Sequence, residues 1–300
     1  MTRAVLPSPA TNAASMNSEE YCENLLQQYE PETRLALLFA DTARRPYATA
    51  LFALNRELCR TVTEPSDAGV ARARLQWWTD ELRDCVTGQA SHPVTRGLSP
   101  AVERFGLAPE SLLELAAGAE AELEHAGLES RGDLDEHCYR NGGLLWLMAA
   151  QIFGYRERRT LQAAQNLGNG GRLVEILRDA TVDAARGRSY LPGELLRRQE
   201  VSADDLSRPE RSDSVAEVLR EMHGLARERF RRAHELLPAG DRAAQRGLLI
   251  LAAFREHTLE HLARSGFPLD AGDGLGPGRR LWIAWRTARR AARRRAPRPD

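Results

Sequence analysis

Apolar side chains return every three or four residues through nearly the whole of this chain, and no segment shows the every-second-residue alternation of a half-buried strand. Tyr21, Leu25 and Tyr29 share one helical face, and Tyr47, Ala50, Leu51, Leu54 and Leu58 share another. Helices patterned in this way bury their stripes by packing on one another, so the prediction is an all-α bundle. Ala, Leu, Glu and Arg dominate and aromatic residues make up only 6%, which favours helix because straight side chains lose little rotamer freedom there.

The punctuation predicts where the helices lie. Ser18-Glu19-Glu20 starts one with a capping hydroxyl and acids in its first turn, and Pro31 follows it. Further helices are expected over about 43–62, 67–86, 133–153, 160–185, 215–237 and 242–263, with two more opening near Pro100 and Pro109. Gly154 and Gly187 supply two of the stops. The expected organisation is a disordered leader over 1–17, one domain over 18–265, a Gly/Pro loop over 266–278, and a basic helix and tail over 279–300.

All 42 basic residues are Arg, and 42 acids balance them, which argues against whole-surface attraction to nucleic acid. No nucleic-acid partner is expected. The balance fails at one end, because from Arg279 to Arg298 there are nine arginines and no acid. Leu281, Trp282, Ile283 and Trp285 give that segment an apolar start, so it is expected to touch an anionic membrane surface. The apolar runs 143–150 and 248–254 fall well short of the roughly 18 residues of a membrane span. Cys22, Cys59, Cys85 and Cys138 form no CxxC pair, so a disulfide framework is not expected. These features together predict a cytoplasmic protein, peripheral to the membrane at most.

Several blocks, in order, carry a resemblance: Leu51-Phe52-Ala53, Arg74-Leu75-Gln76-Trp77-Trp78, His92-Pro93-Val94, Cys138-Tyr139-Arg140, Ile152-Phe153-Gly154-Tyr155, Ile176-Leu177-Arg178-Asp179, Asp183 through Pro192, and Leu281-Trp282-Ile283-Ala284-Trp285. From Tyr21 to Trp285 the chain is similar to bacterial squalene/phytoene synthases, especially those making presqualene diphosphate. The resemblance implies an all-α class I isoprenoid synthase bundle with a central pocket. It also implies enzymes that join two allylic diphosphates after ionising one, using Mg²⁺ held by aspartates on two facing helices.

Only the second aspartate motif is present. Asp179 and Asp183 stand four apart, on one helical face; alone, such a pair reads first as a solvated charged face, and inside the matching block they are the metal candidates. Arg56, Arg178, Arg186 and Arg188 are the diphosphate-binding candidates that the resemblance implies. Where it leads one to expect Asp-Asp-x-x-Asp, the chain has Cys59, Arg60 and Thr63. Arg60 and Arg172 are therefore expected to pair with Asp179 or Asp183 in place of metal. Tyr139, Gly143, Trp146 and Glu175 are expected to line the pocket, with Trp146 filling prenyl space.

Two functions remain open at this stage. One is a family member silent in head-to-head coupling, binding prenyl lipid or acting as an assembly or regulatory partner of an active paralogue or another protein. Relatives resembling a mitochondrial complex I assembly factor share the Arg-Leu-Gln-Trp-Trp block and also lack the first motif. The other is a divergent prenyltransferase condensing farnesyl or geranylgeranyl diphosphate. No cofactor is expected for the first, and Mg²⁺ only if the residual motif works.

Overall fold

The computed structural model describes residues 17–124, 127–208, 212–267 and 272–293. The leader expected over 1–17 lies outside them except for Asn17, as does the tail after residue 293. Regular structure among the described residues is helical throughout. The helices are α1 (Ser18–Tyr29), α2 (Pro31–Leu37), α3 (Arg45–Thr63), α4 (Ala68–Val86), α5 (Pro93–Phe105), α6 (Pro109–Leu123), α7 (Arg131–Cys138), α8 (Leu144–Phe153), α9 (Arg159–Ala185), α10 (Gly193–Arg198), α11 (Ala203–Ser207), α12 (Asp213–Leu236), α13 (Arg246–Arg264) and α14 (Pro277–Arg293).

Local chemistry explains most of the ends. The side chain of Asn17, rather than Ser18, caps α1 by accepting from Glu19 N, and Asp67 caps α4 by accepting from Val70 N. Pro31, Pro93 and Pro109 each sit in a first turn, where the missing N–H costs nothing. Asp241, in the connection before α13, accepts from the backbone of Arg156 and Glu157 and from the Thr160 hydroxyl, at 2.6 to 3.1 Å. One buried carboxylate thus ties down the turn that leads into α9.

The longest helix, α9, is the axis, with α12, α8, α13 and α7 packed around it. Helix α3 also packs on α8 and touches α1, α5 and α6. The expected unbroken helix over 133–153 is instead α7 and α8 joined by a π-helical turn, Tyr139–Gly143. The cause is tertiary. Gly142 and Gly168 meet backbone to backbone, and a Cβ on either would lie 2.6 Å from the other's carbonyl oxygen.

Glu81 of α4 pins the loop that leads into α5. It accepts from Ser91 N, His92 N, Ser91 Oγ and Thr95 Oγ1 at 2.5 to 2.8 Å. Burial pushes its carboxyl up, but these hydrogen bonds outweigh burial and hold it below its ordinary value. A depressed folded value means stability that is present above the ordinary carboxylate range and is lost as pH falls through the folded value. The melting temperature of Glu81→Gln should therefore be lower at neutral pH and fall less steeply than wild type between about pH 4.3 and 3, the range below an unperturbed Glu. Parallel melting curves over that range would remove Glu81 from the acid limb.

Candidate functional site

The interior charge of the bundle is concentrated between α3 and α9. Cys59 of α3 marks the place. Its thiol is reachable by solvent, yet burial pushes it up to about 11, and the charges of Glu30, Arg172, Arg56 and Glu175 all act on it. A group both wetted and crowded sits on the wall of a recess. Glu30 at the α1–α2 junction, Arg56 and Cys59 of α3, and Arg172 and Glu175 of α9 bound that recess.

Arg172 is its centre. Its Nη2 donates to Glu122 of α6 at 2.8 Å, Nη1 to Glu175 at 3.3 Å, and Nε to His137 Nε2 at 3.2 Å. Tyr190 donates its hydroxyl to the second oxygen of Glu122. From Glu175 the alternation of signs continues. Arg255 of α13 joins Glu175 at 3.1 Å to Glu32 of α2 at 3.3 Å, and Arg280 of α14 joins Glu32 at 2.9 Å to Asp273. One file of charges therefore crosses the molecule from α6 to α14. A planar guanidinium suits each joint because its fork serves two carboxylates at once.

Asp179 and Asp183 do share one face of α9. Both oxygens of Asp179 accept from Arg178, at 2.8 and 2.7 Å. Burial pushes the Asp183 carboxyl up, Asp179 adds to this, and the charges of Arg172 and Arg186 oppose it. Arg56 lies 3.9 Å from Glu30 with its guanidinium over the Tyr29 ring, and its Nε is buried without a hydrogen-bond partner. Arg186 is exposed and Arg188 half-buried in the turn after α9.

The expected charge compensation needs correcting. Arg60 does not reach Asp179 or Asp183; it donates to Glu64 at 2.7 Å and to Glu57 at 3.3 Å, one turn either side on its own helix. Glu57 is buried and also accepts from Tyr21, so a cation there answers a local need. Arg172 neutralises Glu122 and Glu175, and touches Asp183 only through its field. Thr63 turns its hydroxyl back onto the Cys59 carbonyl.

The expected pocket lining divides similarly. Glu175 lies in the recess, and Trp146 is buried beside it, its indole and the Arg255 stem both 3.8 Å from where a Gly171 Cβ would be. Gly143 faces no open space, since a Cβ there would lie 2.2 Å from the Asn169 side chain. Tyr139 is half-buried on the α6 side, where Glu114 acts on it. Sequence reasoning missed Glu30, Glu32, Glu122, His137 and Arg255 as members of this site. Each comes from a different element, and their one local signal is a charge interrupting an apolar stripe.

A model of the squalene/phytoene synthase family matches residues 26–286. The chain belongs to the squalene/phytoene synthase family. It is 28% identical to the 15-cis-phytoene synthase of Synechocystis over 67% of this chain and 64% of that one. It is 26% identical to the mouse NADH dehydrogenase (ubiquinone) complex I assembly factor 6 over 74% of this chain and 68% of that one. The chain thus spans about two thirds of the length of these relatives. A dehydrosqualene synthase crystallised with a ligand superposes with a TM-score of 0.83 at 20% identity, covering 95% of this chain and all of that one. The all-α isoprenoid synthase fold expected from the squalene/phytoene synthase resemblance therefore holds.

Proposed function

We propose that this squalene/phytoene synthase family protein does not couple prenyl diphosphates and serves as a binding or assembly partner built on the synthase fold. The observation that carries this reading is Arg172, fixed between Glu122 and Glu175 where α9 faces α3. Mg²⁺ needs hard oxygen ligands converging from both walls. On α9 both oxygens of Asp179 are taken by Arg178. On α3 the wall offers the Cys59 thiol, the Arg56 guanidinium and a Thr63 hydroxyl already bonded to its own helix. Among the described residues no three His, Cys, Asp or Glu side chains come together as a metal group. These donors do not fit a magnesium cluster, so no step through one is derived. The likeness to a protein named as a complex I assembly factor supports a partner role. The free cysteines suit a reducing compartment such as the cytoplasm, and no described helix is long and apolar enough to cross a membrane.

One atom favours a second reading. The unpartnered Nε of Arg56 is the kind of donor a diphosphate takes up, so a prenyl diphosphate held beside Arg56, Arg178, Arg186 and Arg188, with turnover on Asp179 and Asp183, is the competing function. Diphosphate release separates the two. Purified protein given farnesyl or geranylgeranyl diphosphate with Mg²⁺ should release no more than Asp179→Asn does, since a positioned metal supplies several kcal/mol of transition-state stabilisation. Metal-dependent release clearly above that variant establishes the prenyltransferase instead.

A further inference from the structure

Helix α14 has two faces of opposite character. Ala284 and Ala291 are buried against the bundle, and on the same side Arg280 is bonded to Glu32 and Asp273. The helix packs on α13 and α2 through this face. The opposite face carries Trp282, Trp285, Arg286, Arg289 and Arg293, spaced so that all fall on one stripe, with Leu281 and Arg290 at its margins. Leu281, Trp282 and Trp285 are 57%, 52% and 51% exposed, in a molecule that hides most of its large apolar side chains. Arg286 lies over the Trp282 ring at 4.8 Å and Arg289 over the Trp285 ring at 5.2 Å. Trp285 and the four arginines frame a hollow of about 420 Å³.

The charge of this stripe is also unusual. Elsewhere most described arginines are tied to carboxylates, as along α12, where Arg220, Arg229 and Arg231 all have acidic partners. Among the described residues Arg286, Arg289, Arg290 and Arg293 form no ion pair, and α14 contains no acid. Four uncompensated cations side by side repel one another, and an external layer of anions relieves that repulsion. Indoles at one end of the stripe ask for a different surrounding, because they settle where water meets hydrocarbon. A single surface meets both demands.

We propose that the outer face of α14 docks the protein on an anionic lipid bilayer, with Leu281, Trp282 and Trp285 at headgroup depth and Arg286, Arg289, Arg290 and Arg293 on lipid phosphates. The helix then lies in the interfacial plane and does not span it. The contacts of Ala284, Ala291 and Arg280 stay intact, so docking needs no rearrangement of the bundle. The recess between α3 and α9 is not involved, and the proposal stands whether or not the protein turns over a substrate.

The test is co-sedimentation of the full chain with phosphatidylcholine vesicles, with and without phosphatidylglycerol, over a range of salt. Binding is expected only to the vesicles containing phosphatidylglycerol, weakening as salt rises. A variant carrying Arg286→Gln, Arg289→Gln, Arg290→Gln and Arg293→Gln should lose about fivefold in affinity per arginine. Trp282→Ser with Trp285→Ser should release the protein while leaving its melting temperature unchanged, because both rings are exposed. Equal binding to neutral vesicles, no binding at low salt, or full binding by either variant overturns the proposal. Tighter binding to duplex DNA than to vesicles does so as well. So does a dimer, seen by sedimentation velocity, that the tryptophan variant dissociates in the absence of vesicle binding: the face then belongs between two copies of this chain.

Discussion

Replacing Arg172 by methionine is expected to destabilise the protein by about 3–5 kcal/mol, the range for removing one partner from a buried ion pair. The side chain fits that case closely. It is largely enclosed between α6 and α9, and it serves Glu122, Glu175 and His137 at once. Removal leaves the partly buried Glu122 without a guanidinium and Glu175 with Arg255 alone, and strips a donor from the Tyr190–Glu122 pair. For a domain of this size the loss corresponds to a fall in melting temperature on the order of 10 °C. Arg172→Lys should lie between wild type and methionine, because an ammonium is a point charge without the fork that spans both acids. The triple variant Arg172→Met, Glu122→Gln, Glu175→Gln should recover much of the loss, since it removes the charges as well as their partner. Denaturant unfolding of the four proteins decides the matter. A methionine variant within 1 kcal/mol of wild type would mean that Arg172 is not what neutralises this interior.

What the sequence made legible, and what it did not, follows from how far apart the causes lie. Helices α3, α4, α9 and α12 fall within about two residues of their expected ends, because caps, prolines and apolar spacing are local signals. The family was legible because its blocks recur in order. The π turn at Tyr139–Gly143 was not, since its reason sits at Gly168, on another helix. Arg60 shows the same limit within the site. Its absence from the role of metal substitute depends on Glu57 being buried against Tyr21, and no pattern within α3 announces that burial. Cys59 and Thr63 could be named as missing ligands, whereas Glu122, Glu32 and Arg255, which build the charge file, come from three other helices with no shared motif. Arg60 and Arg172 were expected to pair with Asp179 or Asp183, whereas Arg60 pairs with Glu57 and Glu64 and Arg172 with Glu122 and Glu175. Which acid meets which base is a property of packing.

The glycines at that packing contact give a second large effect, and with it a built-in control. Gly168→Ala is expected to cost about 3 kcal/mol or more, at the upper end for overpacking a tight interior. Its Cβ would stand 2.6 Å from the Gly142 carbonyl oxygen and 2.9 Å from the Gly143 Cα, both backbone atoms that cannot swing aside. Gly142→Ala should be as severe, because its Cβ meets the Gly168 carbonyl oxygen at 2.6 Å and the Arg172 Cβ at 3.0 Å. That variant presses on the residue at the centre of the recess, so it should disturb the Arg172 ion pairs as well as stability. Gly171→Ala, one turn along the same helix, points the other way. The nearest neighbours of its Cβ are the Arg255 stem and the Trp146 ring at 3.8 Å, an ordinary contact. The substitution removes backbone entropy from the unfolded chain and should stabilise by up to about 1 kcal/mol. All three changes add one methyl group to a helical glycine, so intrinsic propensity alone predicts the same sign for each. Melting curves that rise for Gly171→Ala and collapse for Gly168→Ala and Gly142→Ala place the cost in the backbone contact, and with it the spacing that sets α9 against the π turn. A Gly168→Ala protein as stable as wild type would mean that the two backbones do not approach so closely, and that the π turn has some other cause.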